Sequence, residues 1–254
     1  MKHKELKEYL DFKTEQYNNP LFIESDPIQL VHQFTKKEEI EIIGLLVSTI
    51  AWGKRPMIIK NGKRLIDIMG GQPHEFILNY ASNEPIEFVH RTFNATDLDF
   101  FFRSLKNIYT NHNGLEAVFK PHADHEGIKG RIVSFRETFL SIDHEQRSEK
   151  HISNPAKNSA SKRINMFLRW MVRDDNHGVD FGIWKSINTS ELCIPLDVHT
   201  ARMATKLGLL KRKQNDWKAL EEIMSTLRKM DPEDPSKYDF ALFGLGVFDE
   251  DMKD

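Results

Sequence analysis

Pro195-Leu196-Asp197-Val198-His199-Thr200-Ala201-Arg202-Met203-Ala204 puts an aspartate directly before a run of helical character. An aspartate at a helix start accepts the free N–H groups of the first turn. Gly208 supplies a left-handed stop, so the spacing predicts a helix over 198–207. Upstream, Asn158-Ser159-Ala160-Ser161-Lys162-Arg163-Ile164-Asn165-Met166-Phe167-Leu168-Arg169-Trp170 marks a second helix start, with a helix predicted over 159–173. Its first turn carries a lysine, where the positive end of the helix dipole disfavours an ammonium. An amine at one helix start and a carboxylate at another can act as nucleophile and base. They can equally be two ordinary helix starts, and the residues alone leave both readings open.

Outward from these starts the chain reads as helical nearly throughout. Leu6 to Tyr17 is amphipathic and stops at Asn18-Asn19-Pro20. Ser25-Asp26-Pro27 opens another helix, and Thr35-Lys36-Lys37-Glu38 has capping-box form. The helix that follows is apolar on nearly every face to Trp52, which places it in the middle of a domain. Further helices are predicted over 56–69, 73–80, 95–109, 114–119, 128–142, 216–230 and 234–243. The polar segment 143–158 reads as an exposed connection, and 174–193 as irregular. Alternating strand patterns are nearly absent. The reading is a single all-α domain over 1–254.

Hydrophobic residues make up 39% of the 254 positions and charged residues 29%, an ordinary globular balance. No window is apolar enough to span a bilayer. The start, Met1-Lys2-His3-Lys4-Glu5, leads into a charged helix and not an apolar signal core. The expectation is a cytoplasmic protein without membrane contact. Cys193 is the one cysteine, which excludes a disulfide framework, a cysteine-ligated cluster and a multi-cysteine zinc site. His122 and His125, with His112 and His144 not far off, lack any zinc-enzyme motif and are flanked by the loop residues Pro121 and Gly127. No metal ligand and no cofactor is assigned. The net charge is −2, yet the stretches 54–64, 155–173 and 202–213 are basic without an acid, while 231–254 is acidic. Three such runs suggest a local anion-binding face; solvated helix faces also carry them.

The ordered motifs resemble the helix-hairpin-helix DNA glycosylase superfamily, the endonuclease III-like proteins. Residues 41–51 look like its early core helix, Lys162 with Asn165 and Leu168 like the helix that carries the catalytic lysine, and 195–204 like the segment that carries the catalytic aspartate. Residues 238–246 occupy the place of its last helix. Over most of its length the chain is also similar to a bacterial family with no assigned function, marked by 159–173, 195–202 and 231–246. The superfamily resemblance implies an all-α fold with interleaved lobes and a base-excision glycosylase, with AP lyase activity through Lys162 and Asp197. It implies damaged duplex DNA as partner. Three departures stand out. The hairpin stretch 155–161 has no glycine, so Lys157, Ser159 and Ser161 are left to meet phosphate at the helix start. The position of an often-inserted glutamine holds Ile50. Lys162 and Asp197 are further apart in sequence than in endonuclease III-like proteins, and the extra residues fall in 174–193.

The implied chemistry needs a neutral amine, and a lysine's ordinary pKa of about 10.4 keeps it protonated. The helix start and adjacent Arg163 favour loss of that proton, while an ionised Asp197 opposes it. The aspartate would serve as proton acceptor and as stabiliser of positive charge on the sugar. A flipped base needs an aromatic or apolar wall, for which Trp52 is the candidate, with Ile50 beside it. Arg163 and Arg202 join Lys157, Ser159 and Ser161 as the expected nucleic-acid contacts. Two other readings share these residues: a non-catalytic nucleic-acid-binding protein on the same scaffold, and a helical protein-interaction module.

Overall fold

The computed structural model describes residues 3–82 and 86–248. The last part of the predicted acidic tail, 249–254, lies outside the described residues. The protein is mostly helical, with one two-stranded hairpin among the described residues. Where the sequence reads as one domain, contacts divide the chain into two compact units. One is continuous, Ser25–Asn154; the other joins the residues up to Glu24 to those from Pro155 onward.

Helices α1 (His3–Tyr17) and α2 (Leu21–Ser25) open the chain. In the continuous unit, the predicted helix after Asp26 is a 3-10 turn, Pro27–Gln33, whose Ile28 N–H is met by the Asp26 side chain. Helix α3 (Lys37–Thr49) is buried on nearly every face, as its composition requires. It does not use the predicted Thr35 box. Lys36 is its N-cap without a side-chain cap, and the Lys36 amine instead reaches Glu39 at 3.3 Å. Helices α4 (Arg55–Ile68) and α5 (Pro73–Asn79) follow. Strands β1 (Val89–His90) and β2 (Phe93–Asn94) pair antiparallel around Arg91-Thr92. Asn94 and Asp97 then form a capping box at the start of α6 (Ala95–Asn111). Helices α7 (Leu115–Val118) and α8 (Gly127–Phe139) complete the unit. Phe101 packs edge-on against Phe93 and Phe139 at centroid distances of 5.1 and 4.9 Å.

The segment read as an exposed connection is not exposed where it matters. Its 3-10 turn Gln146–His151 buries Ser148 and His151, with Ile152 behind them. The cause is Asp97, whose carboxylate is out of solvent and must find partners. Ser148 Oγ donates to it at 2.6 Å, Arg147 at 3.0 Å, and His151 Nε2 stands 3.3 Å away.

The second unit comprises α1 with α9 (Lys162–Val172), α10 (Val198–Lys206), α11 (Trp217–Met230) and α12 (Tyr238–Val247). Tyr238 donates its hydroxyl to Asp11 at 2.9 Å. A Cβ at Gly244 would stand 2.1 Å from the Tyr17 ring, so glycine is what lets α1 lie on α12. The irregular segment after α9 holds Asp180, fully enclosed, which accepts from Arg169 and Arg173, each at 3.2 Å. Arg169 also pairs with Asp239, and Arg173 with Asp175 and Asp234. Both guanidinium groups lie over the Phe240 ring. Two arginines of the second basic run are therefore buried and neutralised, and that run is no continuous anion-binding face.

Candidate functional site

The approach to α9 is a tight turn. Pro155–Lys157 is one 3-10 turn, after which Asn158 (φ 67°) and Ser161 (φ 48°) adopt left-handed backbone. Asn158 donates from its amide to Asp216 Oδ2 at 2.8 Å and its carbonyl accepts the Trp217 N–H at 3.0 Å. The segment is thereby stapled to the start of α11. Arg212 holds the Asp216 carboxyl far below the usual carboxylate range. The stretch without glycine still makes two left-handed turns, one at an asparagine, which tolerates them, and one at a serine, which does not. Ser161 gives α9 no side-chain cap. Ser161→Gly is therefore expected to stabilise the protein by roughly 0.5–1 kcal/mol, the relief of the left-handed strain less the added freedom of the unfolded chain. Urea titration checks it; a lower midpoint would contradict it.

Lys162 Nζ stands 3.4 Å from Asp197 Oδ2. Asp197 is the N-cap of α10, its Oδ1 accepting the Thr200 N–H at 2.8 Å. One oxygen serves the helix and the other faces the amine. The separation exceeds that of a charge-assisted hydrogen bond, so the amine is held near and not locked. The side chains are 34% and 14% exposed, which leaves the amine reachable from solvent beside a mostly shielded carboxylate. The twenty irregular residues between the helices do not keep the two starts apart.

The other predicted contacts divide. Lys157 is exposed and Ser159 half-buried. Ser161 is buried at 2% exposure, and its hydroxyl donates to the Ser159 carbonyl at 3.4 Å, so it presents no hydroxyl at the surface. Burial lowers the Arg163 guanidinium to about 10, which still leaves it charged at neutral pH. Arg202 donates to the Gly246 carbonyl at 2.9 Å and ties α10 to the end of α12. The third basic run fares better: Lys211, Arg212, Lys213 and Lys218 line an open notch of about 700 Å³, with Glu222 at its edge. In the continuous unit, Ile50 is the buried C-cap of α3 and offers no surface, whereas Trp52 is partly open. A cleft of about 740 Å³ there, lined by Arg64, Met69, Phe76 and Tyr80, includes neither Ile50 nor Trp52.

Asp239 is the residue that sequence reasoning missed. It lies on the first turn of α12, buried against Arg169. Burial pushes its carboxyl up to about 7 against the pull of Arg169; the charges of Asp197 and Asp180 push the same way and Lys162 opposes. It therefore feels both members of the lysine–aspartate pair. The signal was present as an acid inside Tyr238-Asp239-Phe240-Ala241-Leu242, a helix otherwise apolar on every side. Cys193 is buried and takes a long contact from Arg228 at 3.5 Å, with its thiol pushed up by burial. His122 accepts the Asp124 N–H at 3.0 Å and so shapes its own loop.

Fold and site define a mostly helical protein with a solvent-open lysine–aspartate pair between two helix starts. The chain belongs to a family described as a protein of unknown function (DUF2400), which matches residues 26–248. No curated protein matches the chain, and no solved structure does. Among the described residues, no helix is long and apolar enough to cross a membrane.

Proposed function

We propose that the protein is an endonuclease III-like base-excision enzyme acting on damaged duplex DNA, with Lys162 as nucleophile and Asp197 as its acid–base partner. The observation that carries this reading is the 3.4 Å approach of the two side chains, with the amine open to solvent. Neutral Nζ attacks C1′ of the damaged nucleotide. The N–C1′ bond forms as the glycosidic bond breaks, and the departing base takes up a proton. Asp197 accepts the proton shed by the new amine and stabilises the positive charge at C1′. Opening of the sugar ring leaves an iminium, which borohydride reduces to a stable amine. Lys157, Arg163 and the notch at 211–218 supply cations for the phosphate backbone.

The test is borohydride trapping on duplexes carrying oxidised bases or abasic sites. A covalent adduct that vanishes in Lys162→Ala is expected; no Lys162-dependent adduct on any of these substrates overturns the mechanism. Asp197→Asn separates capping from chemistry, because asparagine caps as well as aspartate. It should leave stability within about 0.5 kcal/mol while slowing trapping by about a hundredfold or more. A second reading, a non-catalytic nucleic-acid-binding protein, is favoured by the buried Ser161 and by the commitment of Asp197 Oδ1 to its helix. It predicts salt-dependent binding of undamaged DNA that Asp197→Asn does not change.

A further inference from the structure

Trp52, just beyond the end of α3, is the one partly open tryptophan among four; Trp170, Trp184 and Trp217 are each 3% exposed or less. It is held from behind. His90 Nε2 donates to the Trp52 carbonyl at 3.0 Å, and the His90 ring lies edge-on to the indole at 4.8 Å. Asn61 reaches the other ring nitrogen of His90 at 2.8 Å and so fixes the imidazole. His151 stacks on the indole at 6.0 Å, itself set by the enclosed Asp97. An aromatic plate with this backing has little freedom to lose on binding.

Beside it lies Arg91, at the first position of the two-residue turn between β1 and β2. Its φ is 56°, a left-handed conformation that hairpins of this kind normally give to glycine. The turn keeps an arginine there because it is pinned: Arg147 donates to the Thr92 carbonyl at 3.1 Å while also holding Asp97. Arg91 is exposed and has no carboxylate partner among the described residues. Its side chain lies over Gly53, the residue after Trp52; a Cβ at Gly53 would stand 2.9 Å from the guanidinium. Lys54 follows, also exposed. A strained backbone that keeps an unpaired cation next to a rigid, open indole is costly unless something binds there.

We infer that Trp52 and Arg91 form a nucleotide-binding site on the continuous unit, the indole stacking on a nucleobase and the Arg91 guanidinium meeting the adjoining phosphate. The site shares its ligand class with the proposed function and does not depend on chemistry at Lys162.

Tryptophan emission tests it, with a mixed-sequence single-stranded oligodeoxynucleotide as probe and anisotropy of a labelled copy as the independent measure of binding. Native protein and Lys162→Ala should both be quenched. Trp52→Phe should keep its affinity within about threefold and lose the quenching, since phenylalanine still stacks. Trp52→Ala should bind about fivefold to a hundredfold more weakly, the range that loss of a base–aromatic stack gives. Arg91→Gly relieves the turn, so its melting temperature should be no lower than native, yet it should bind more weakly and with a shallower salt dependence. Binding without a change in tryptophan emission overturns the site and leaves the proposed function standing. Native affinity in Arg91→Gly overturns the phosphate contact. Absence of any binding of this single strand at low salt overturns the site, while the proposed function is decided separately by trapping on damaged duplexes.

Discussion

Asp97→Ala is expected to destabilise the continuous unit by about 3–5 kcal/mol, the range for breaking a buried ion pair by removing one partner. The carboxylate is fully enclosed and serves four groups: the Asn94 N–H at 2.9 Å, Arg147, Ser148 and His151. Alanine takes away the capping box of α6 and leaves the Ser148 hydroxyl buried without its acceptor. It also frees the Arg147 guanidinium and the His151 ring, which between them hold the Thr92 carbonyl and back the Trp52 indole. The damage should therefore spread to the hairpin. Urea unfolding followed at Trp52 measures it, because that is the tryptophan within Ser25–Asn154. A loss below about 1 kcal/mol would mean that water replaces the carboxylate without penalty, and would refute the account of why Ser148 and His151 are buried.

The second large effect is a pH dependence carried by Asp239. Burial pushes its carboxyl up to about 7 in the fold, from an ordinary value of 3.8. The folded state thus holds the proton more tightly than the unfolded chain. The stability this contributes is fully present below about pH 4, declines as pH rises, and is lost once pH passes about 7. The whole difference corresponds to on the order of 4 kcal/mol, of which about 3 falls between pH 5 and pH 8. Asp239→Asn holds the neutral form permanently. Native protein should lose about 3 kcal/mol relative to this variant between those two pH values. The carboxyls that neighbouring cations lower, such as Asp175 beside Arg173, act in the opposite direction but are common to both proteins and cancel. Parallel stability curves for the two proteins would show that Asp239 is ionised throughout, matched by Arg169 alone.

The long helices were legible because their signals are local. Asn94 caps where an acceptor before an amphipathic run predicts, and α3 is buried all round because it is apolar all round. The Lys162–Asp197 pair was legible as two helix starts, and its closeness is a tertiary fact that the irregular 174–193 neither forbids nor requires. What stayed hidden depends on distant partners. Strands of two residues are too short to show alternation. Ser148 and His151 are buried against Asp97, some fifty positions upstream, as the 51-residue separation of Ser148 from it shows. Arg169 and Arg173 read as exposed cations until Asp180, Asp234 and Asp239 are brought to them by other elements. Ser161 reads as a phosphate contact, and the left-handed turn that buries it leaves no mark in a sequence without glycine.

The contact between Tyr238 and Asp11 joins residues 227 positions apart, while the unit between them closes on itself. This sets a timetable on the ribosome. Ser25–Asn154 has all of its own partners as soon as it clears the exit tunnel. The amphipathic α1 waits with its apolar stripe uncovered until α12 has been made. At about 5–20 residues per second that wait lasts on the order of ten to forty-five seconds. During it, α1 is the segment a nascent-chain chaperone has the most reason to hold.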